Sequence, residues 1–432
     1  MQTRFTETQL KDPVYREADA ILRSCVHCGF CLSTCPTYVL TGDELDSPRG
    51  RIYLIKDMLE RDVAPEDATV THIDRCLSCL SCMTTCPSSV DYMHLADIAR
   101  ARIAARYKRP PVDRLFRGVL ARVLPSPRLF ALAIGLGRPL AGGLARLPGR
   151  IGTLGRLIPK KRAPAQAARA RVFAPAEGPP RLRVALLEGC VQTTLAPDIN
   201  GATIRLLTRL GAEVHIVPRI GCCGALAHHL ADHKRARRQA RRNVRHWSRA
   251  LDRPGLDAVV ANAAGCGTLI KDYGHLLAGD RRYADSAARV AACTLDVSEV
   301  VERLMNEVPS PTLSRGPRPR IAYHGACSLR NGQKIEALPK ALLRRMGFEV
   351  VDIPEGHLCC GSAGTYNLLE PGFADMLGRR KAERIARTGA EMVASGNIGC
   401  QMQISAYSGL PVVHTVALLD WATGGPDPRA GV

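Results

Sequence analysis

Aromatic residues are scarce in this chain of 432 residues: Phe, Trp and Tyr make up 4% of it, with two tryptophans. Proteins that hold single-stranded nucleic acid use aromatic side chains as stacking platforms. The scarcity argues against that class, and no nucleic-acid partner is expected, despite a formal net charge of +20. Acidic residues are missing from one long stretch. Between residues 101 and 183 only Asp113 and Glu177 interrupt a series of Arg and Lys, and the aromatics are Tyr107, Phe116, Phe130 and Phe173. Such a stretch meets an anionic lipid surface or an acidic partner, or is a solvated linker. Long apolar runs are absent too. The best candidate, residues 129–144, is broken by Arg138, Pro139 and several glycines, so no segment reads as a bilayer-spanning helix. With its arginines it suits the surface of an anionic membrane. No G-x-G-x-x-G follows a predicted strand, and no P-loop is present. The chain therefore offers no organic cofactor site to take a hydride. Residues 1–13 carry charges and no apolar signal core. The expected location is the cytoplasm, where thiols stay reduced.

Cysteine is the residue in excess, with 17 in the chain. Eight of them fall in two runs, Cys25-x2-Cys28-x2-Cys31-x3-Cys35-Pro36 and Cys76-x2-Cys79-x2-Cys82-x3-Cys86-Pro87. This is the bacterial ferredoxin spacing for a cubane [4Fe–4S] cluster. Structural zinc usually splits its four ligands into two separated pairs, which suits these compact runs less well. In two-cluster ferredoxins the fourth cysteine serves the other cluster. The expected ligand sets are Cys25, Cys28, Cys31 and Cys86 for the first cluster, and Cys76, Cys79, Cys82 and Cys35 for the second. Pro36 and Pro87 are expected to turn the chain away after each last ligand.

The fold expected is α/β, with a helical two-cluster ferredoxin domain followed by duplicated α/β Cys-Cys-Gly domains. Residues 1–108 form the ferredoxin domain, with helices expected over 15–23, 49–61 and 94–107. Residues 109–181 form a basic connector rich in Pro, Gly and Ala, expected to be largely irregular. Residues 182–312 and 313–432 are the two repeats. Cys190, Cys222, Cys223 and Cys266 recur as Cys327, Cys359, Cys360 and Cys400, the first three at an offset of 137 and the last at 134. Each copy alternates strand and helix (strands over 183–187, 213–217 and 258–261, then 320–323, 348–353 and 391–394), which implies parallel sheets. Each quartet suits a further cluster, a zinc ion or a redox thiol site. Gly224 and Gly361 suit the turn that aims adjacent cysteines at one place. Cys293 has no counterpart and reads as a small buried hydrophobe. His324, His357, His228 and His229 lie near the turns, and each reads as a core or capping residue or as a ligand.

The run ILRSCVHCGFCLSTCPTYVLTGDELDSPRGRIYLIKDMLE, with LLEGCVQTTLAP, GCCGALAHHL, NAAGCGTLIKDYG, HLCCGSAGTY and NIGCQ, resembles the iron–sulfur subunits of bacterial glycolate oxidase. The architecture is shared with lactate utilisation subunits, with the electron-transfer subunit of anaerobic glycerol-3-phosphate dehydrogenase and with heterodisulfide reductase. The resemblance implies an electron-transfer subunit of a glycolate dehydrogenase complex, not active alone. Flavin-type partner subunits would carry FAD and oxidise glycolate to glyoxylate. Electrons would pass through two [4Fe–4S] clusters to an acceptor, membrane quinone, with peripheral contact on the cytoplasmic face of the inner membrane. The alternatives are a subunit serving lactate or glycerol-3-phosphate, or a thiol–disulfide reductase subunit. One departure stands out: many Cys-Cys-Gly domains end in C-x-x-C, but here Leu269 and Gln403 occupy the last position.

Overall fold

The computed structural model describes residues 1–159, 171–307, 313–314 and 316–431. The N-terminal part is helical. Asp12 caps α1 (Pro13–Ser24) by accepting from the Val14 N–H, and Ser47 caps α2 (Pro48–Arg61) by accepting from Gly50. Both helices carry proline in the first turn, where its missing N–H costs no helical bond. With α3 (Asp67–Asp74) and α4 (Tyr92–Arg106) they bury Leu22, Ile55, Ile73, Leu95 and Ile103 in one core, which also takes in Cys25, Cys76 and Cys82. The ferredoxin loops are thus gripped between helices. After Cys35 the chain enters a new helix, Pro36–Thr41, with Pro36 at its first position and Cys35 just outside it.

The connector differs from the expectation. Instead of an irregular chain it forms α5 (Pro111–Val123), α6 (Pro127–Gly137) and α7 (Gly149–Leu157). Residues 160–170, also assigned to the connector, lie outside the described residues. Beyond them, β1 (Val172–Phe173) pairs antiparallel with the strand over Ala212–His215.

The first repeat contains β2 (Leu182–Leu187), α8 (Asp198–Arg209), β3 (Ala212–His215), α9 (His233–Asp252), β4 (Ala258–Ala261), α10 (Ala264–Lys271), β5 (Thr294–Asp296) and α11 (Val297–Glu307). The second contains β6 (Ile321–His324), α12 (Ala337–Arg345), β7 (Val350–Asp352), α13 (Pro371–Ala386), β8 (Met392–Ser395), α14 (Ile398–Ser405), β9 (Val412–His414) and α15 (Thr415–Ala422). The sheet orders are β1-β3-β2-β4-β5 and β7-β6-β8-β9, parallel apart from β1. Strands such as β4 (AVVA) and β8 (MVAS) are buried throughout, as strands covered on both faces must be. The three-residue strands β5 and β9 close each sheet and were not anticipated from the sequence. The two repeats share one apolar core in which α8 packs against α15. Arg205 and Arg209 of α8 hold the buried Asp420 of α15 at 2.6 and 3.0 Å.

Candidate metal centre

Both ferredoxin loops use the same backbone device. Two and four residues after the first cysteine the chain takes left-handed conformations: His27 (φ 55°) and Gly29 (φ 86°), then Ser78 (φ 51°) and Leu80 (φ 60°). A bulky side chain such as leucine rarely adopts this conformation, and strain of this kind gathers at functional sites. The loops wrap two adjacent cavities. Cys25, Cys28, Cys31 and Cys86 line the first, and Cys35, Cys76, Cys79 and Cys82 line the second. Cys82 also reaches the wall of the first. Cys86 thus sits with the first run and Cys35 with the second.

The donor chemistry fits a metal cluster in each cavity. No cysteine is in a disulfide. Burial pushes the Cys31 thiol up to about 11, aided by the charges of Cys25, Cys86 and Cys28. Burial likewise raises Cys79 and Cys82, with neighbouring cysteines adding to it. Thiolates packed this closely need a cation between them. At the second cavity the protein supplies part of that charge. Arg51, 1% exposed, approaches Cys35 Sγ with Nη1 at 3.7 Å while donating to Thr37 Oγ1 at 3.0 Å and to the His72 carbonyl at 2.7 Å. Arg100 donates to the Cys76 carbonyl at 2.8 Å, and Tyr92 donates to Cys76 Sγ at 3.8 Å. Burial works against the Cys76 thiolate, but Arg51 and Arg100 outweigh it and lower its pKa. Sequence reading passed over Arg51, which lies within a segment read only as an amphipathic helix.

The second cavity abuts the second repeat. Cys79 packs with Cys359 and Tyr366, and the Asn331 amide donates to the Cys79 carbonyl at 2.8 Å. Beyond it lies a chamber of about 430 Å³. Cys190, Cys222, Cys223 and Cys266 of the first repeat line it together with Cys327, Cys359 and Cys400 of the second, while Cys360 is buried and not part of the lining. Cys190 Sγ is 3.5 Å from Cys222 Sγ, and Cys327 Sγ is 3.9 Å from Cys359 Sγ. Both Cys-Cys-Gly turns depend on left-handed glycine, Gly224 at φ 104° and Gly361 at φ 90°. The roof is the connector: Phe116 and Leu120 of α5, Phe130 and Ile134 of α6, and Leu154 of α7. Leu77 and Ser78 link the chamber to the second ferredoxin loop.

The histidines divide. His228 pairs with Asp97 at 2.8 Å and so ties the first repeat to α4. His229 lines the chamber, where burial, then the neighbouring His228, push it down to about 4. His357 is half-buried, and its carbonyl accepts from Ser81 Oγ at 3.2 Å. His324 lies within the second thiol set. Cys293 bonds the Val290 carbonyl at 3.4 Å, and the chamber lining does not include it.

Comparison with known proteins agrees with this architecture. Residues 24–90 match the 4Fe-4S dicluster domain, and residues 184–271 and 321–405 each match the cysteine-rich domain. The glycolate oxidase iron–sulfur subunit of Escherichia coli is 40% identical over 98% of this chain and 99% of its own. The probable glycolate oxidase iron–sulfur subunit of Bacillus subtilis is 32% identical over 89% of this chain and 88% of its own. Lactate utilization protein A of Geobacillus thermodenitrificans is 26% identical over 55% of this chain and 99% of its own. Two thiol-lined cavities, two cysteine-rich repeats and near full-length identity thus converge, and the chain belongs to the family of glycolate oxidase iron–sulfur subunits.

Proposed function

We propose that this chain carries electrons within a complex that oxidises glycolate to glyoxylate, between flavin-type partner subunits that hold FAD and a membrane quinone. The observation that carries the reading is the continuity of the sulfur sites. The first cavity shares Cys82 with the second, the second packs against Cys359, and Cys359 lines the chamber. A cubane cluster in each cavity supplies one-electron transfer. The chain's own residues hold the thiols, exclude water and offset charge.

The two ends of this path suit different partners. At the first cavity Cys28 is exposed, and Val26, Phe30 and Tyr53 are exposed beside it. Apolar surface around a redox site suits a docked protein, and here the flavin partner delivers electrons. At the other end the chamber is walled largely by apolar side chains, with Ser362, Asn367 and Asn397 among its few polar groups. Such a site suits a quinone ring. Its roof helices also turn apolar residues outward: Val112, Leu115 and Val119 on α5, and Leu129, Leu132 and Leu136 on α6 are all exposed. Exposed Arg114, Arg122 and Arg128 accompany them. Among the described residues no single helix is long and apolar enough to cross a membrane. The roof instead suits lying on an anionic bilayer, on the cytoplasmic face of the inner membrane.

The test is reconstitution. The isolated chain, with iron and sulfide loaded, is expected to show no glycolate-dependent dye reduction. Adding the flavin subunits is expected to give glycolate-dependent quinone reduction. Phe30→Asp is expected to slow reduction by the flavin partner at unchanged iron content. Glycolate oxidation by the isolated chain would overturn the reading.

A further inference from the structure

The two repeats share the same alternation of strand and helix around their cysteines, yet their thiol sites differ. In the second repeat His324, Cys360 and Cys400 each bring a donor atom within 4.8 Å of the other two. Their exposures are 2%, 1% and 3%. His324 ends β6, Cys360 sits in the Cys-Cys-Gly turn and Cys400 opens α14, so three separate elements converge. The Nδ1 atom of His324 is buried with no hydrogen-bond partner among the described residues. A buried polar atom left unpaired is costly, and a bound ligand would remove that cost.

The first repeat lacks these features. The position matching His324, at the offset of the first cysteines, is Leu187, part of the apolar core. Asn397, which donates to Cys400 Sγ at 3.3 Å, is matched by Ala263. No comparable donor group forms around Cys223 and Cys266 among the described residues.

We propose that the second repeat holds a single divalent cation of the zinc class on His324, Cys360 and Cys400, and that the first repeat does not. Imidazole nitrogen and thiolate sulfur are the donors such an ion selects. Two thiolates and a neutral imidazole balance its charge. Three protein donors leave the fourth position free, and Cys400 reaches the chamber. The missing C-x-x-C thiol at Gln403 is then no loss, because β6 supplies the replacement from another direction. The site stands whether or not the electron-transfer reading holds.

The experiment uses the full chain, purified without oxygen, loaded with iron and sulfide and then exposed to limiting zinc. Zinc and iron are counted per chain, and zinc-edge absorption reads the donor types. One zinc is expected beside about eight irons for two cubanes, with nitrogen as well as sulfur in its shell. His324→Leu, which installs the first repeat's residue, and Cys400→Ser are expected to weaken zinc binding at least about tenfold. Cys266→Ser is expected to leave it unchanged. Iron content should stay the same in all three. The proposal is overturned by a shell of sulfur alone, by zinc lost with Cys266→Ser, or by no zinc uptake. Extra iron and sulfide that disappear with Cys400→Ser would also overturn it. The absorption measurement on the unaltered chain decides even where a variant fails to fold.

Discussion

Single cysteines in the ferredoxin domain are not equivalent, because their positions differ. Cys28 is exposed and lines the first cavity alone, whereas Cys82 is buried and reaches both. Cys28→Ser is expected to lower the iron content from about eight to about four per chain, on the four-iron stoichiometry of each cubane. Cys82→Ser is expected to lose most of the iron from both cavities. Iron analysis with EPR of the reduced protein checks the pair, and equal losses from both variants would contradict the shared position of Cys82. The eight ferredoxin cysteines were legible in the sequence because one turn geometry imposes one spacing. Arg51 was not legible. Its partners Cys35, His72 and Thr37 come from outside its own helix, and a charged residue in an amphipathic segment reads as solvated until those partners are in place.

Helices α5 and α6 show how composition can mask an element. Val112, Leu115, Phe116, Val119, Leu120 and Val123 recur at helical spacing as one stripe along α5, with Val112 and Leu115 exposed and Phe116, Val119 and Leu120 lining the chamber. Such a stripe marks an amphipathic helix, but it lies in a segment whose composition reads as a loop. Frequent glycine and proline further suggested a loop. The strands β2, β4, β6 and β8 were legible for the opposite reason, being short unbroken apolar runs next to cysteine landmarks. Strands β5 and β9 are three residues each and carry no pattern of their own. Sheet closure, not propensity, makes them strands. The exposed apolar residues of these helices lead to a measurable expectation. The chain should float with vesicles containing anionic lipid and release steeply as salt rises, because paired basic and apolar contacts act together. Leu115→Asp with Leu132→Asp should abolish flotation while leaving iron content intact. Flotation that survives the double change would remove this surface as the contact.

Across the whole molecule, a small set of buried polar links holds the ferredoxin domain to the repeats. The most charged is His94 of α4, which bonds Asp91 at 2.6 Å and reaches Asp272 of the first repeat at 3.1 Å. Its ring stacks on His275 at 3.6 Å, and His275 pairs with Glu17 at 2.7 Å. Burial works against the charge on His94, but the hydrogen bonds to Asp272 and Asp91 outweigh it and hold the imidazole up at about 10. A group whose folded value lies above its unfolded value adds stability at low pH and loses it as pH rises through the folded value. The link should therefore stabilise fully below about pH 6.5, the unfolded value, and fade toward pH 10. The melting temperature of the loaded protein should exceed that of His94→Gln most at pH 6 and converge with it near pH 10. A gap independent of pH would contradict the ion-pair account.

The interleaving of Cys35 and Cys86 also bears on how the protein is made. As the chain leaves the ribosome, Cys25, Cys28 and Cys31 emerge well before Cys86, the thiol that completes their cavity. Cys35 likewise waits for Cys76, Cys79 and Cys82. Neither cavity can close until synthesis has passed residue 86, so maturation of the two becomes one event. A chain truncated between the runs leaves both half-built, with four exposed thiols and nothing to hold them together.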